Sequence, residues 1–320
     1  MAMPTLLDIA KHSGVDGVVG LIEESIQTHP EVSGRVLGPG GGTTIPNMGG
    51  IRTIRGTQYK TLIRTEVPTV AFRHANEGVA PTKEKYENRL IETFILNARW
   101  QVDRAVAAAS EDGPAVLMAL AAQSMLEGTF RTLAKQFYYG TGTGDAKGHP
   151  GLIDSVNTDQ VVDATGTTAS TGSSVWAIKW GVQDVKWVYG QGGALDVEDP
   201  RIETINDPND ATKQLTVYLQ ELLAYPGLQV GNKYCLGRIK KLTADSGKGL
   251  TDALLYALLE KFPAGVVPDV LMMTRRSHHQ LRASRTATNA TGAPAPFPGD
   301  FEGIPIATTD SLLNTEALTL

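Results

Sequence analysis

Several groups of residues have the types that chemistry needs, and their spacing decides what each can do. Gly140, Gly142 and Gly144 make a glycine-rich turn of the sort that can cradle a pyrophosphate. That use requires a strand before the glycines and a helix after them. Here a helical pattern precedes the glycines and none comes after. Ser246-Gly247-Lys248-Gly249 lacks the leading Gly and the closing Ser or Thr of a phosphate-binding loop. The glycine run at 38–42 has no Lys and no helix after it, and reads as flexible chain. His278 and His279 are adjacent, so on a helix they diverge by about 100°. Helical zinc ligands sit at i and i+4 beside a carboxylate or thiolate, so these two read as exposed or capping. Cys235 is the single cysteine and lies in an apolar extended run, as a small filler does. An acidic run, Asp196, Glu198, Asp199, Glu203, Asp207 and Asp210, is opposed only by Arg201. It lacks the ligand spacing of a calcium loop and reads as a solvated or interface edge. No G-x-S-x-G is present. These patterns assign no catalytic residue, no metal ligand and no cofactor, and the chain reads as a non-enzyme.

The elements that would position such groups are unusual. Residues 114–139 form one long helical pattern, with Pro114 at its start and Gly140 at its end. Ala119, Ala122, Leu126, Phe130, Leu133 and Phe137 lay an apolar stripe along it. Glu127, Arg131 and Lys135 mark the wet side, with ion-pair support. At 1.5 Å per residue the helix is roughly 39 Å long, about twice the mean. It reads as a strut that carries sheets, although a long core helix of an ordinary enzyme would look the same. Short helices are expected over 4–12 and 16–28, then open chain at 29–50. Residues 51–80 alternate with period two and predict a long hairpin, its return strand at 69–73. A strand running into a short helix at 103–110 is expected from 86 onward. The segment 175–189, with Trp176, Trp180 and Trp187, predicts a second hairpin. Two extended runs come next over 214–242. Helices at 251–262 and 276–284 then alternate with strands at 269–273 and 304–308.

Length and composition set bounds. The chain has 320 residues, 41% hydrophobic and 20% charged, which suits one large or two moderate globular domains. A net charge of −5 gives no basic footprint for duplex DNA or an anionic membrane. One cysteine allows no internal disulfide. The start lacks the pattern of a signal peptide, and no run approaches the ~18 apolar residues of a membrane span.

The order of these pieces resembles the major capsid proteins of tailed double-stranded DNA bacteriophages, which have the Hong Kong-97-type (Johnson) fold. The stretches that carry the likeness are SSVWAIKWGVQDVKWVYGQGG, TVYLQELLAYPGLQVGNKYCLGRIKKL, DVLMMTRRSHHQLRAS and FEGIPIATTDSLLNTEALTL. The resemblance implies an α+β fold with an N-terminal arm at 1–50 and an extended β-hairpin loop at 51–82. A peripheral domain at 83–245, with its spine helix at 114–139, and an axial domain at 246–320 complete it. In the founding member the long strand pair comes after the axial domain, whereas here similar strands precede it. That member also cross-links its subunits through Lys, Asn and Glu; Lys60 is the only Lys of residues 51–80, and no matching Asn/Glu context accompanies it.

By the same resemblance the chain is a coat protein that self-assembles as hexamers and pentamers into an icosahedral head around double-stranded DNA. An encapsulin-like nanocompartment shell is the alternative. The implied partners are other copies, a separate scaffolding protein, a portal protein and DNA packaged without sequence specificity. A decoration protein is left open, and no membrane is involved. The expected location is the virion, after assembly in the host cytoplasm. For contacts between copies the candidates are Arg52, Arg55, Lys60, Arg64 and Arg73 on the hairpin, facing Asp196, Glu198, Asp199 and Glu203. Pairing of the two groups within one chain is the alternative.

Overall fold

Ser173–Ile178 shows where the core must lie: every residue of this strand is buried. Val175 and Ala177 enter one apolar cluster, whereas Trp176 and Ile178 enter another. A strand covered on both faces needs apolar side chains at successive positions, and Val175 to Ile178 supply them. The structure is a computed structural model and describes residues 3–11, 24–38, 41–45, 48–191, 193, 195–207 and 210–319. The helix expected over 16–28 falls largely outside the described residues.

This strand is at the centre of a six-stranded mixed sheet. The order is Asp300–Phe301, Ile304–Thr308, Val270–Met273, Ser173–Ile178, Leu236–Leu242, Val161–Asp163. Helices Asp252–Leu259 and Arg275–Ala287 supply Leu255, Leu258 and Leu281 to the cluster on one face. Thr251 and Thr274 cap them, each hydroxyl accepting a backbone N–H three residues on. The sheet takes strands from both sides of residue 245.

Against the other face lies the end of the spine helix, Gly113–Thr143, through Leu133, Phe137, Tyr138 and Tyr139. Phe137 stacks on Trp180 with ring centroids 5.6 Å apart. The expected stripe is only partly right. Leu133 and Phe137 are buried, but Phe130 is 40% exposed and Ala119 is exposed too. The core covers the last turns of the helix and leaves its first half with only a small cluster around Val102, Ala107 and Leu117. Glu127 and Arg131 do pair on the wet side. Gly140, at φ 51° and ψ −138°, breaks the helix as expected. A Cβ there would lie 1.9 Å from Asp154 Oδ2 and 2.1 Å from Gly151 N, so the glycine is required for close backbone packing. The glycine loop beyond it folds onto Gln136, whose Nε2 donates to the carbonyls of Asp145 and His149.

The tryptophan segment is not a hairpin. Ser173–Ile178 enters the six-stranded sheet, and Val185–Tyr189 lies between Pro226–Val230 and Ile51–Thr53 in a three-stranded one. Both halves are buried and pack into one apolar cluster, Trp176 and Ile178 from the first and Val185, Trp187 and Tyr189 from the second. A third sheet is built on the 15-residue strand Asp210–Ala224. Arg201–Asp207 and Asp196–Val197 pair with one edge of it, and Leu96–Asp103 with the other. Residues 29–50 are less open than expected, holding a short helix, Pro30–Ser33, and the strand pair Arg35–Gly38 and Gly41–Thr44.

The two ends of the chain meet at the foot of the spine helix. Tyr139 bonds Glu316, which also accepts from the Ser174 hydroxyl at 2.6 Å and lies 3.4 Å from the Arg238 guanidinium. Arg238 in turn donates to Ser174 Oγ and lies over Trp176. One residue away, Tyr138 reaches Glu31 at 3.5 Å, and Glu31 also accepts from Ser311 and Thr309. Asp310 N donates to the Thr28 carbonyl, closing the N-terminal segment onto the C-terminal one.

Candidate assembly surfaces

Gln58–Glu66 pairs with Lys85–Glu92 as an antiparallel ribbon. The return strand is therefore 85–92 and not the expected 69–73, which carries no strand. The alternation read in 57–66 is real, but Pro68 and Pro81 interrupt the chain beyond it. Every residue from 69 to 90 is exposed, including Val70, Phe72, Val79, Tyr86 and Leu90. A two-stranded ribbon of this kind is marginal by itself.

Its base is anchored. Ile91 is buried, and Tyr59 opposite it donates from its hydroxyl to Gln229 Oε1. Burial pushes the Tyr59 hydroxyl pKa up, while the Arg52 guanidinium 4.3 Å above the ring acts against this. Arg52 thus belongs to the base of the ribbon. Lys60 and Arg64 project from exposed positions on Gln58–Glu66, and Arg55 is exposed in the turn before it. Arg73 is exposed and donates to the Glu77 carbonyl at 2.7 Å.

The acidic candidates lie on a different sheet. Asp196 and Asp199 are exposed. Glu198 pairs with Arg201, and Glu203 lies 3.7 Å from Arg201 and 3.8 Å from Arg99. Among the described residues, no ion pair joins Asp196, Glu198, Asp199 or Glu203 to Arg52, Arg55, Lys60, Arg64 or Arg73. The structure thus does not bring the basic and acidic groups together within one chain. Sequence reasoning missed Gln229 and Arg89, which hold the ribbon, because their partners are more than a hundred residues away and leave no local pattern.

His278, Cys235 and Lys248 of the 246–249 stretch have structural roles. His278 is buried and its Nε2 donates to the Pro298 carbonyl at 2.6 Å, while His279 is exposed beside Phe297. Burial pulls the His278 pKa down. Cys235 is buried just before Leu236–Leu242, its thiol pushed up to about 12 by burial. Lys248 donates to the Thr165 hydroxyl. Among the described residues no cluster of His, Cys, Asp or Glu could hold a metal ion, and no helix is long and apolar enough to cross a membrane.

Comparison with known proteins places this architecture. A family model described as Major capsid protein GP7 matches residues 45–319. No curated protein matches the chain. Among solved structures, a chain of the cryo-electron-microscopy structure of bacteriophage epsilon15 is similar over 99% of this chain and 98% of its own. Its TM-score is 0.72 at 19% identity. The bacteriophage JBD30 capsid matches over 97% and 99% with a TM-score of 0.49 at 11% identity. The SrpI encapsulin of Synechococcus elongatus PCC 7942 matches over 75% and 95%, with a TM-score of 0.44 at 10% identity. The α+β fold is thus the Hong Kong-97-type capsid fold. With the family model spanning most of its length, the chain belongs to the family of major capsid proteins GP7.

Proposed function

We propose that this chain forms the icosahedral head of a tailed phage from hexamers and pentamers, around double-stranded DNA held without sequence specificity. The work is structural, not enzymatic. The observation that carries the reading is the hairpin, whose residues 69–90 are exposed and apolar enough to need a cover that the chain itself does not supply. A neighbouring copy is that cover. Arg55, Lys60, Arg64 and Arg73 then face the neighbour's Asp196, Glu198, Asp199 and Glu203, with Arg52 stiffening the base. Rings of five and six use one contact at slightly different angles. A separate scaffolding protein, a portal protein and assembly in the host cytoplasm belong to this reading.

The division of labour is an arm at 1–50, an extended loop opening at 51, a peripheral domain and an axial domain toward the C-terminus. Strand pairing favours carrying the loop to residue 92. It also favours grouping 161–178 and 236–242 with the axial part, since they share its sheet. The test is native mass spectrometry and electron microscopy of the purified chain. Closed shells of many copies are expected, and protein that stays monomeric or dimeric under all assembly conditions rejects the proposal.

A further inference from the structure

The ribbon is a cantilever, and what holds it is compact. Its return strand runs beside Pro226–Val230. Phe94 N donates to the Pro226 carbonyl at 2.8 Å. Further along, Arg89 Nη1 donates to the Val230 carbonyl at 2.6 Å. Between these contacts the backbones almost touch: a Cβ on Gly227 would lie 2.4 Å from the Glu92 carbonyl oxygen. The other strand is held through Tyr59, whose hydroxyl meets Gln229 Oε1. Gln229 is 1% exposed, and its Nε2 is committed to the carbonyls of Val182 at 2.7 Å and Asp184 at 3.3 Å. It therefore cannot turn to track the tyrosine. Pro226–Val230 is itself buried and paired with Val185–Tyr189, whose Trp187 lies in the main core. Tyr59 and Arg89 lie on one face of the ribbon, two positions apart in register, and the strands beyond them are exposed on most of their positions.

We propose that Gln229 and the Val230 carbonyl form a clamp that sets the direction in which the hairpin leaves the body, making Tyr59, Arg89 and Gln229 positioning residues for docking between copies. The docking role rests on the coat-protein reading; the clamp itself does not. At ~3.3 Å per residue about 17 Å of strand lies beyond Thr61, so a tilt of about 10° moves its end by roughly 3 Å. A displacement of that size separates a fitted contact from a missed one. Fixing the direction beforehand also removes ordering cost from association.

The experiment uses the full chain with spin labels at Thr69→Cys in the tip and Glu260→Cys on the body. Cys235 is buried and its thiol is held protonated, so it stays unlabelled. Tyr59→Phe with Arg89→Met removes both donors while leaving Gln229 in place, and Arg89→Lys keeps a donor for Val230. Below assembly concentration the double variant should stay folded, with a melting temperature lowered only as far as the loss of two hydrogen bonds requires, and show a tip–body distance distribution at least twofold wider than wild type. Above it, shells should form at least tenfold more slowly or in mixed sizes, and restoring a donor with Arg89→Lys should recover part of both. An unchanged distribution overturns the clamp. A widened distribution with wild-type assembly overturns its role in docking. Wild-type chain that forms no shells rejects the coat-protein reading, and the distance distribution still decides the clamp.

Discussion

The hydroxyl of Tyr139 donates to Oε1 of Glu316 at 2.7 Å, joining the end of the spine helix to the C-terminal segment across 177 residues of sequence. The same hydroxyl accepts from Leu313 N at 2.8 Å. Burial and the nearby Glu316 carboxylate both raise the tyrosine's pKa, so it stays a donor. Ser174 sits between the two charges, donating to Glu316 and accepting from Arg238. The arrangement satisfies a buried acid with several partners, the condition under which such a group is tolerated.

Removing one member should therefore cost more than the bond it makes. Tyr139→Phe orphans a backbone donor and should destabilise by about 1–3 kcal/mol. Arg238→Met strands a buried carboxylate and should cost about 3–5 kcal/mol. Urea denaturation of unassembled protein measures both. A smaller loss for Arg238→Met than for Tyr139→Phe contradicts the ranking.

Two neighbours on the spine helix should behave oppositely. Leu133 is 2% exposed, and Leu133→Ala should cost about 2–5 kcal/mol through the cavity it leaves. Phe130, at 40% exposure, should accept Asp without loss of the fold. Thermal melting of the two variants checks this, and an unfolded Phe130→Asp protein would show that the helix buries its other face.

Glu31 should make stability fall as pH rises. Its side chain is buried among Ser311, Thr309 and Tyr138, and burial raises its pKa to about 7 from 4.5. His29 lies 3.9 Å away, but burial lowers its pKa, so the imidazole is neutral at pH 7 and the contact is not a salt bridge there. Between pH 4.5 and about 7 the folded chain holds a proton that the unfolded chain has lost. The stabilisation is thus complete below pH 4.5 and is lost as pH passes about 7, roughly 3 kcal/mol in all. Half-buried His29 and buried His149 and His278 work in the other direction, because burial lowers the pKa of each and each must gain a proton on unfolding in acid. The difference between wild type and Glu31→Gln isolates the carboxyl, and a difference that is flat from pH 4.5 to about 8 refutes it.

Lys60→Glu combined with Arg64→Glu should leave the monomer's melting temperature unchanged, since neither residue makes an ion pair within the described chain. Shell formation should slow at least several-fold, and wild-type assembly should slow likewise near 1 M salt, where the Debye length falls to about 3 Å. Steering and register are the expected effects of such rim charges. Wild-type assembly rates in the reversed variant would remove these residues from the interface.

Gly140→Ala should abolish soluble expression. The residue sits in a backbone region reserved for glycine, and the added methyl would meet Asp154 and Gly151. Normal yield of folded protein would mean that the helix can end there in another way.

Much of the architecture could be read from the chain alone, because it depends on local periodicity. Pro114 and Gly140 delimit a helix, since one lacks an N–H that helix starts do not need and the other adopts angles that side chains forbid. The alternation in 57–66 makes a strand, and Ile304–Thr308 was legible as one. The charged candidates on hairpin and acidic run were also visible, since charge is a property of the residue. What tertiary structure alone decided was who faces whom. Gln58–Glu66 could have paired with 69–73, and only the fold selects Lys85–Glu92, because pairing depends on where the chain can close. Phe130 and Leu133 are both apolar and three residues apart, yet only the sheet's extent determines which is covered. The burial of Glu31, Glu316 and Gln229 is likewise invisible in sequence: a polar group can leave water only where distant partners replace its hydrogen bonds, and those partners are supplied by segments more than forty residues away.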